Sequence, residues 1–139
     1  MNADATVARM ALEQVCARGD LELAGECYAP DFVDHVNALD FHGQEGIRRS
    51  TDLYRGLFDD LRIRVLDQIT EGDRVVSRWI MNGSNRGRPT ELSGITISRM
   101  EAGRIVEDWS ALDSLELLRR LGLVRTLLAA PRLLRAMRT

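Results

Sequence analysis

Apolar positions in the first part of the chain recur with the period of amphipathic helices. The pattern predicts a helix over residues 4–18 that ends at Gly19, and a short second helix over residues 21–28 that Asp20 can cap. A third helix is predicted over residues 44–58. The first half of the chain is therefore expected to be mainly helical.

After residue 58 the period changes from helical to alternating, which is typical of strands with one buried face. Turns are predicted at Glu71-Gly72-Asp73 and at Glu101-Ala102-Gly103, and an irregular loop over residues 83–89. The predicted extended segments are residues 32–36, 61–65, 74–82, 92–100 and a final strand from residue 103. Helices followed by an antiparallel meander predict one α+β domain whose helices pack on one face of the sheet.

The final strand carries a tryptophan and a carboxylate four residues apart. Because side chains alternate along a strand, Trp109 and Asp113 are expected to point the same way. Ile105 and Ala111 share that face, which is mostly apolar. We expect the Asp113 carboxylate to be desolvated and its pKa to be raised, which makes it a candidate general acid or base.

A second interpretation of Asp113 is structural. Asp113 is followed three residues later by Glu116, a pattern typical of a helix start. In that case Asp113 caps a helix. An exposed Asp113 with only this role would favour a non-catalytic binding module.

Length and composition fit one domain with a core and one pocket. The chain begins without a basic segment followed by an apolar one, and no apolar run approaches membrane-spanning length, so we expect a cytoplasmic protein. Cys16 and Cys27 lack the spacing of a zinc site or a disulfide framework, and His35 and His42 lack metal-ligand spacing. We expect no metal.

All nineteen basic residues are arginine, so no lysine amine is present to form a Schiff base with a carbonyl. Six arginines and no acid follow residue 118, which leaves thirteen arginines against twenty-one acids, a net charge of −8, in the preceding part. Basic charge confined to one end of the chain is not typical of a nucleic-acid-binding face. The charge pattern therefore disfavours nucleic acid as a partner.

The order of several short motifs resembles the SnoaL-like polyketide cyclases, which belong to the nuclear transport factor 2-like superfamily. The resemblance covers about residues 4–122. Its motifs are Tyr28-Ala29-Pro30-Asp31-Phe32-Val33-Asp34-His35, Gly43-x-x-Gly46, Glu71-Gly72-Asp73-Arg74-Val75-Val76, Gly103-Arg104-Ile105-Val106-Glu107-x-Trp109-x-x-x-Asp113 and Leu121-Gly122. It implies a cone of curved antiparallel sheet closed by three helices.

The resemblance also implies an intramolecular aldol-type ring closure on a small-molecule substrate, an aromatic polyketide, without metal or organic cofactor. Asp113 would move the proton next to a carbonyl. Where known cyclases of the family place a histidine, this chain carries Thr96, which can donate a hydrogen bond to a carbonyl but cannot ionise as a histidine does. His35 is the leading substitute, because its imidazole could stabilise an enolate; the alternative is a buried histidine that donates to a backbone carbonyl.

Five aromatic side chains are candidates to line the substrate pocket: Trp109, Trp79, Tyr54, Phe32 and Phe58. Arg99 is a candidate to bind a carboxylate or phenolate if its guanidinium faces inward. The same fold also hosts other activities. A tailoring hydroxylase, an epoxide hydrolase or isomerase, and a non-catalytic binder remain as alternatives.

We assign residues 1–122 to the cone domain and residues 123–139 to a basic amphipathic tail. Leucine pairs alternate with arginines in this tail at helical spacing. Such a helix could lie on a membrane surface, but the −8 body and the dimers common in the superfamily favour a protein partner. We expect the tail to close the cone or to brace a homodimer.

Overall fold

The computed structural model describes residues 2–113 together with Pro131 and Arg135. The predicted boundary at residue 122 and the predicted tail over residues 123–139 lie outside these described residues, apart from those two positions. The elements in chain order are α1 (Ala3–Met10), which continues as a π-helix (Ala11–Cys16), α2 (Leu21–Cys27), β1 (Tyr28–Val36), β2 (Leu39–His42), α3 (Gly43–Leu57), β3 (Asp59–Glu71), β4 (Arg74–Asn85), β5 (Arg88–Glu101) and β6 (Arg104–Leu112).

The three predicted helices are confirmed, with ends that differ by one or two residues from the prediction. Asn2 Oδ1 caps α1 by accepting from the backbone N–H of Asp4 at 2.8 Å. Asp20 Oδ1 caps α2 as predicted, by accepting from the N–H of Leu23 at 3.1 Å. Gly19, with φ of +71°, ends the first helical segment in a conformation that favours glycine.

The six strands form one curved sheet in the order β2-β1-β6-β5-β4-β3, and the helices cover its inner face. The predicted α+β fold class is confirmed. The prediction of an antiparallel sheet holds for four of the strand pairings, but β1 and β6 are parallel. This pairing joins the first strand to the last, so it lies outside the meander that local sequence signals describe.

The predicted loop over residues 83–89 is wrong. β4 and β5 continue to a two-residue turn at Arg86-Gly87, where both residues have positive φ, 52° and 79°. Gly83 lies inside β4. A side chain does not fit at this position, because a Cβ there would be 2.7 Å from the backbone oxygen of Asp59. This glycine therefore marks a close approach between strands rather than a loop.

The core lies between the helices and the inner face of the sheet, and includes the fully buried Val15, Val75 and Ile105. A second cluster surrounds Trp79, whose indole lies over Gly94 on β5: a Cβ at Gly94 would be 2.5 Å from the indole ring. The absence of a side chain at Gly94 thus leaves room for the indole.

Gly94→Ala is expected to destabilise the protein by about 1–3 kcal/mol, because the added methyl forces the buried indole to shift. Urea unfolding measures the change. Gly25→Ala is the matched control, since nothing lies within 4 Å of a Cβ at that helical position. Equal stability of the two variants would contradict the packing described here.

Candidate active site

An irregularity in β6 decides which of its side chains face the interior. The pairing of β6 with β5 shifts after Ile105, which pairs with Met100, while Glu107 pairs with the preceding Arg99. The alternation therefore changes phase, and Ile105 and Asp108 are both buried. Leu112 packs on the same inner side, against the core around Trp79.

This change of phase overturns the environment predicted for Asp113. Trp109 does not share a face with Ile105, and Asp113 is exposed. Asp113 lines a groove of about 470 Å³ on the outer face of the sheet, together with Ile80 and Ile95. The expectation of a desolvated carboxylate at Asp113 is wrong, because the bulge directs the neighbouring acid, Asp108, inward instead.

The buried acid on β6 faces a second acid on β1. Asp34 and Asp108 are direct partners in the parallel pairing, so both lie on the inner face. Asp108 is only 6% exposed, and Asp34 is half-buried. In each, Oδ1 is shielded from solvent and has no hydrogen-bond partner among the described residues. Shielded carboxylate oxygens without partners cost free energy, which marks this pair as a candidate functional site.

Burial raises the pKa values of both acids. Burial raises the pKa of Asp108 to about 7, although a hydrogen bond from Ser98 lowers it. Burial raises the pKa of Asp34 well above its ordinary range, and the charges of Asp108 and Asp40 raise it further. Two interacting acids titrate as a pair. The pair can therefore hold and release a proton near neutral pH.

Three weaker acids lie near this pair. Cys16 Sγ, at the end of the π-helix, is 3.8 Å from the Tyr28 hydroxyl oxygen. Burial raises the pKa of Cys16 to about 12, and burial also raises the pKa of Tyr28 and of Tyr54 well above their ordinary value. The charge of Asp34 contributes to all three shifts. These groups remain protonated, so they can donate hydrogen bonds but do not act as nucleophiles.

A chain of hydroxyl groups crosses the inner face beside Asp108. Trp79 Nε1 donates to Thr96 Oγ1 at 2.9 Å, and Thr96 Oγ1 lies 2.8 Å from Ser110 Oγ. Trp79 and Thr96, both predicted to contact substrate, are 3% and 1% exposed. They contact each other, whereas Ser110 is half-buried and remains accessible.

The remaining predicted pocket aromatics on the inner face belong to the core. Phe32 is fully buried, and its ring centroid lies 4.4 Å from that of Tyr28. Phe58 is buried in the cluster around Trp79. Of the aromatic side chains predicted to line a pocket, the structure brings Tyr54 close enough to Asp34 for the two to interact electrostatically.

His35 lies on the opposite, outer face, in an ion-pair cluster. Its Nδ1 is 2.7 Å from Asp40 Oδ1 and its Nε2 is 2.7 Å from Glu107 Oε2. Arg99 extends the cluster by donating to Glu107 at 3.3 Å. The ring of Trp109 stacks on His35 at 5.8 Å between centroids. His35, Arg99 and Trp109 are therefore brought together, but the strand pair separates them from Asp34 and Asp108.

The two carboxylates favour the charged form of His35. Partial burial lowers its pKa, but the hydrogen bonds with Asp40 and Glu107 outweigh that effect and the net pKa is raised. The hydrogen bond with His35 in turn lowers the pKa of Glu107. The charged cluster links β2, β1 and β6, directly behind the Asp34–Asp108 pair.

His35→Gln is expected to destabilise the protein below pH 6.5 and to have less effect in alkaline solution. A raised pKa in the folded state stabilises the fold fully below the unfolded value of 6.5, and the contribution is lost as pH rises through the folded value. Partial exposure limits the effect to about 1 kcal/mol. Urea unfolding at pH 5.5 and 9 measures it, with His42→Gln as an exposed-histidine control. An equal loss at both pH values would contradict the ion-pair interpretation.

Within residues 2–113, no group of three or more His, Cys, Asp or Glu side chains is arranged to hold a metal ion. None of the helices in the described part of the chain is long and apolar enough to cross a membrane.

The sequence profile of the SnoaL-like polyketide cyclases matches residues 6–121. The chain therefore belongs to the SnoaL-like polyketide cyclase family. A search of curated proteins found no match.

Among solved structures, the fold is similar to wild-type IdmH from Streptomyces antibioticus, provisionally described as a polyketide cyclase, with 30% identity, a TM-score of 0.73, and coverage of 88% of this chain and 100% of IdmH. TsrD from Streptomyces laurentii is 25% identical, with a TM-score of 0.75 and coverage of 86% and 95%. An NTF2-like protein of unknown function from Burkholderia pseudomallei, 20% identical with a TM-score of 0.76 and coverage of 88% and 100%, shares the fold.

Proposed function

We propose that this protein is a cofactor-independent polyketide cyclase that closes a ring by an intramolecular aldol-type addition, with Asp34 and Asp108 as the acid–base pair. One observation carries the proposal: two facing carboxylates on the inner face, each with a solvent-shielded oxygen that has no partner among the described residues. Membership of the SnoaL-like family supports the choice of an aromatic polyketide as the substrate class.

The proposed reaction needs one base and one acid. An ionised carboxylate takes a proton from the carbon next to a ketone, and the resulting enolate carbon forms a bond to a second carbonyl carbon of the same molecule. The π bond of that carbonyl breaks, and its oxygen takes a proton from a protonated carboxyl group. No atom leaves the substrate and no electron acceptor is required.

The Asp34–Asp108 pair has the properties that both steps require. Acid–base groups act best when their pKa is close to the working pH, and the pKa of Asp108 is about 7. One proton shared by two carboxyl groups supplies a base and an acid at once. A positioned acid–base group accelerates proton transfer by about 10²–10⁴-fold, and holding the two reacting carbons together adds to this.

In this proposal the acid–base role predicted for Asp113 and His35 passes to the buried pair. Asp113 is exposed, and His35 is engaged with Asp40 and Glu107 on the outer face. The exposure of Asp113 by itself favours a non-catalytic binder. The buried pair favours an enzyme. Two shielded carboxyl groups destabilise the fold, and a role in catalysis explains why the fold contains them.

A panel of linear aromatic poly-β-ketoesters tests the proposal. With purified protein under nitrogen and with chelator present, we expect a cyclised product with the mass of the substrate, less any water lost afterwards. A product that gains one oxygen atom and requires air would identify the tailoring hydroxylase. Conversion of an epoxide to a diol would identify the epoxide hydrolase, and saturable binding without conversion would identify the binder.

The homodimer and the cytoplasmic location stay predictions. Light scattering tests the predicted homodimer.

A further inference from the structure

The hydroxyl chain beside Asp108 has a direction, which its first member imposes. An indole N–H can only donate, so Thr96 Oγ1 must accept from Trp79. Thr96 is 1% exposed, and its only other described side-chain contact is with Ser110 Oγ at 2.8 Å. An unused hydroxyl proton at this depth would be costly. Thr96 therefore donates to Ser110.

The same logic leaves the proton of Ser110 unused within the described contacts. Ser110 Oγ accepts from Thr96, so its own O–H is available to a further acceptor. Ser110 is half-buried on the inner face, on the same strand as Asp108 and two residues further on. A ligand that reaches Asp108 is thus within reach of a hydroxyl donor whose orientation is already set.

We propose that Ser110 is a further catalytic residue, which donates a hydrogen bond to the substrate carbonyl oxygen while Asp108 acts on the adjacent carbon. This inference rests on the proposed function, and it assigns the group that receives the developing enolate charge. It also changes the role predicted for Thr96, which acts through Ser110 instead of contacting the substrate.

The spacing of the two groups suits a ketone. Residues two apart on a strand are separated by about 6.6 Å. A ketone oxygen and its α-carbon are joined through a single carbon, so a donor about 3 Å beyond the oxygen and a base about 3 Å beyond the α-carbon span a comparable distance. One face of the enolate can then contact both side chains.

The backbone at Ser110 is held in place by the turn between β1 and β2. The N–H of Asn37 donates to the Ser110 carbonyl at 3.0 Å, and Asn37 Oδ1 accepts from the N–H of Leu112 at 3.2 Å. Thr96 holds the side chain from the opposite side. A donor fixed before the substrate arrives stabilises developing charge without the cost of reorientation.

Binding of 2-naphthol, whose aromatic hydroxyl resembles an enol, tests the donor without requiring turnover. Fluorescence titration at pH 6 should give saturable binding to the wild type and an at least tenfold higher Kd for Ser110→Ala. Ser110→Thr keeps the hydroxyl and should restore the Kd to within threefold. Ser93→Ala removes an exposed hydroxyl on β5 and should leave it unchanged.

Trp79→Phe tests the direction of the chain. Without the indole donor, Thr96 and Ser110 can each donate to the other, so we expect a Kd about threefold to fivefold higher with Ser110 intact. An unchanged Kd would overturn the role given to the indole.

The proposal is overturned if the wild type does not bind 2-naphthol, or if Ser110→Ala binds it as the wild type does. Thermal melting establishes that each variant is folded. A crystal structure of the wild-type complex gives a second test, which needs no variant: the naphthol oxygen should lie about 2.7–3.1 Å from Ser110 Oγ, and a naphthol oxygen placed elsewhere would refute the assignment. These outcomes concern Ser110 alone, whereas absence of ring closure would contradict the proposed function.

Discussion

Asp108→Asn is expected to lower the turnover of ring closure by about 10²–10⁴-fold, because an amide can neither take nor release the proton that the reaction moves. The side chain keeps its shape, so substrate binding should change much less than turnover. Steady-state kinetics on the cyclised polyketide, with separate kcat and KM values, measures the effect.

Asp113→Asn is the control variant that distinguishes Asp108 from Asp113 as the acid–base group. Asp113 directly follows β6, which carries Asp108, but it is exposed on the outer face, so its amide variant should retain turnover within a few-fold. A hundredfold loss in Asp113→Asn with normal turnover in Asp108→Asn would return the acid–base role to the residue that the sequence pattern favours.

The same Asp108→Asn substitution is expected to make the fold more stable in alkaline solution. The pKa of Asp108 rises from 3.8 in the unfolded chain to about 7 in the fold. Between these values the folded state binds more protons than the unfolded state, so the stability of the wild type falls as pH rises and then levels off above pH 7. The amide removes this loss, which is on the order of 2–4 kcal/mol.

Urea unfolding at pH 4 and pH 8 measures this effect. The stability gained by Asp108→Asn should be large at pH 8 and small at pH 4, where Asp108 is protonated in the fold. A variant that is less stable than the wild type at pH 8 would mean that the ionised carboxylate has a stabilising partner. Gain of stability with loss of turnover is the trade-off expected of a buried functional acid.

Local patterns were sufficient to predict the helices, five of the six strands and the α+β class, because caps, apolar spacing and turn residues act over a few positions. The short strand β2 (Leu39–His42) was not predicted. The parallel pairing of β1 with β6 was not predicted, because it joins residues more than seventy positions apart: Asp34 and Asp108. The order of motifs, rather than any single one, indicated the family.

The candidate site was harder to predict, for two physical reasons. Simple alternation places Asp108 on the wrong face, because nothing local identifies the shift after Ile105. Asp34 carried a usable signal, since it alternates with Phe32 and Val36, both buried. The pairing of His35 with Asp40 and Glu107 depends on three strands meeting, so the sequence does not show it. The sequence therefore predicted a catalytic role for an imidazole that the structure places in ion pairs.

Deuterium exchange at carbon tests the central claim most directly, which is that the Asp34–Asp108 pair moves a proton to and from the carbon next to a carbonyl. The probe is 2-tetralone in D₂O, followed by proton NMR, because its enol has the shape of 2-naphthol. We expect the wild type to accelerate exchange of the protons next to the ketone well above the buffer rate, and Asp108→Asn to abolish most of that acceleration. Exchange at the buffer rate in the wild type, or equal exchange in Asp108→Asn, would contradict the account.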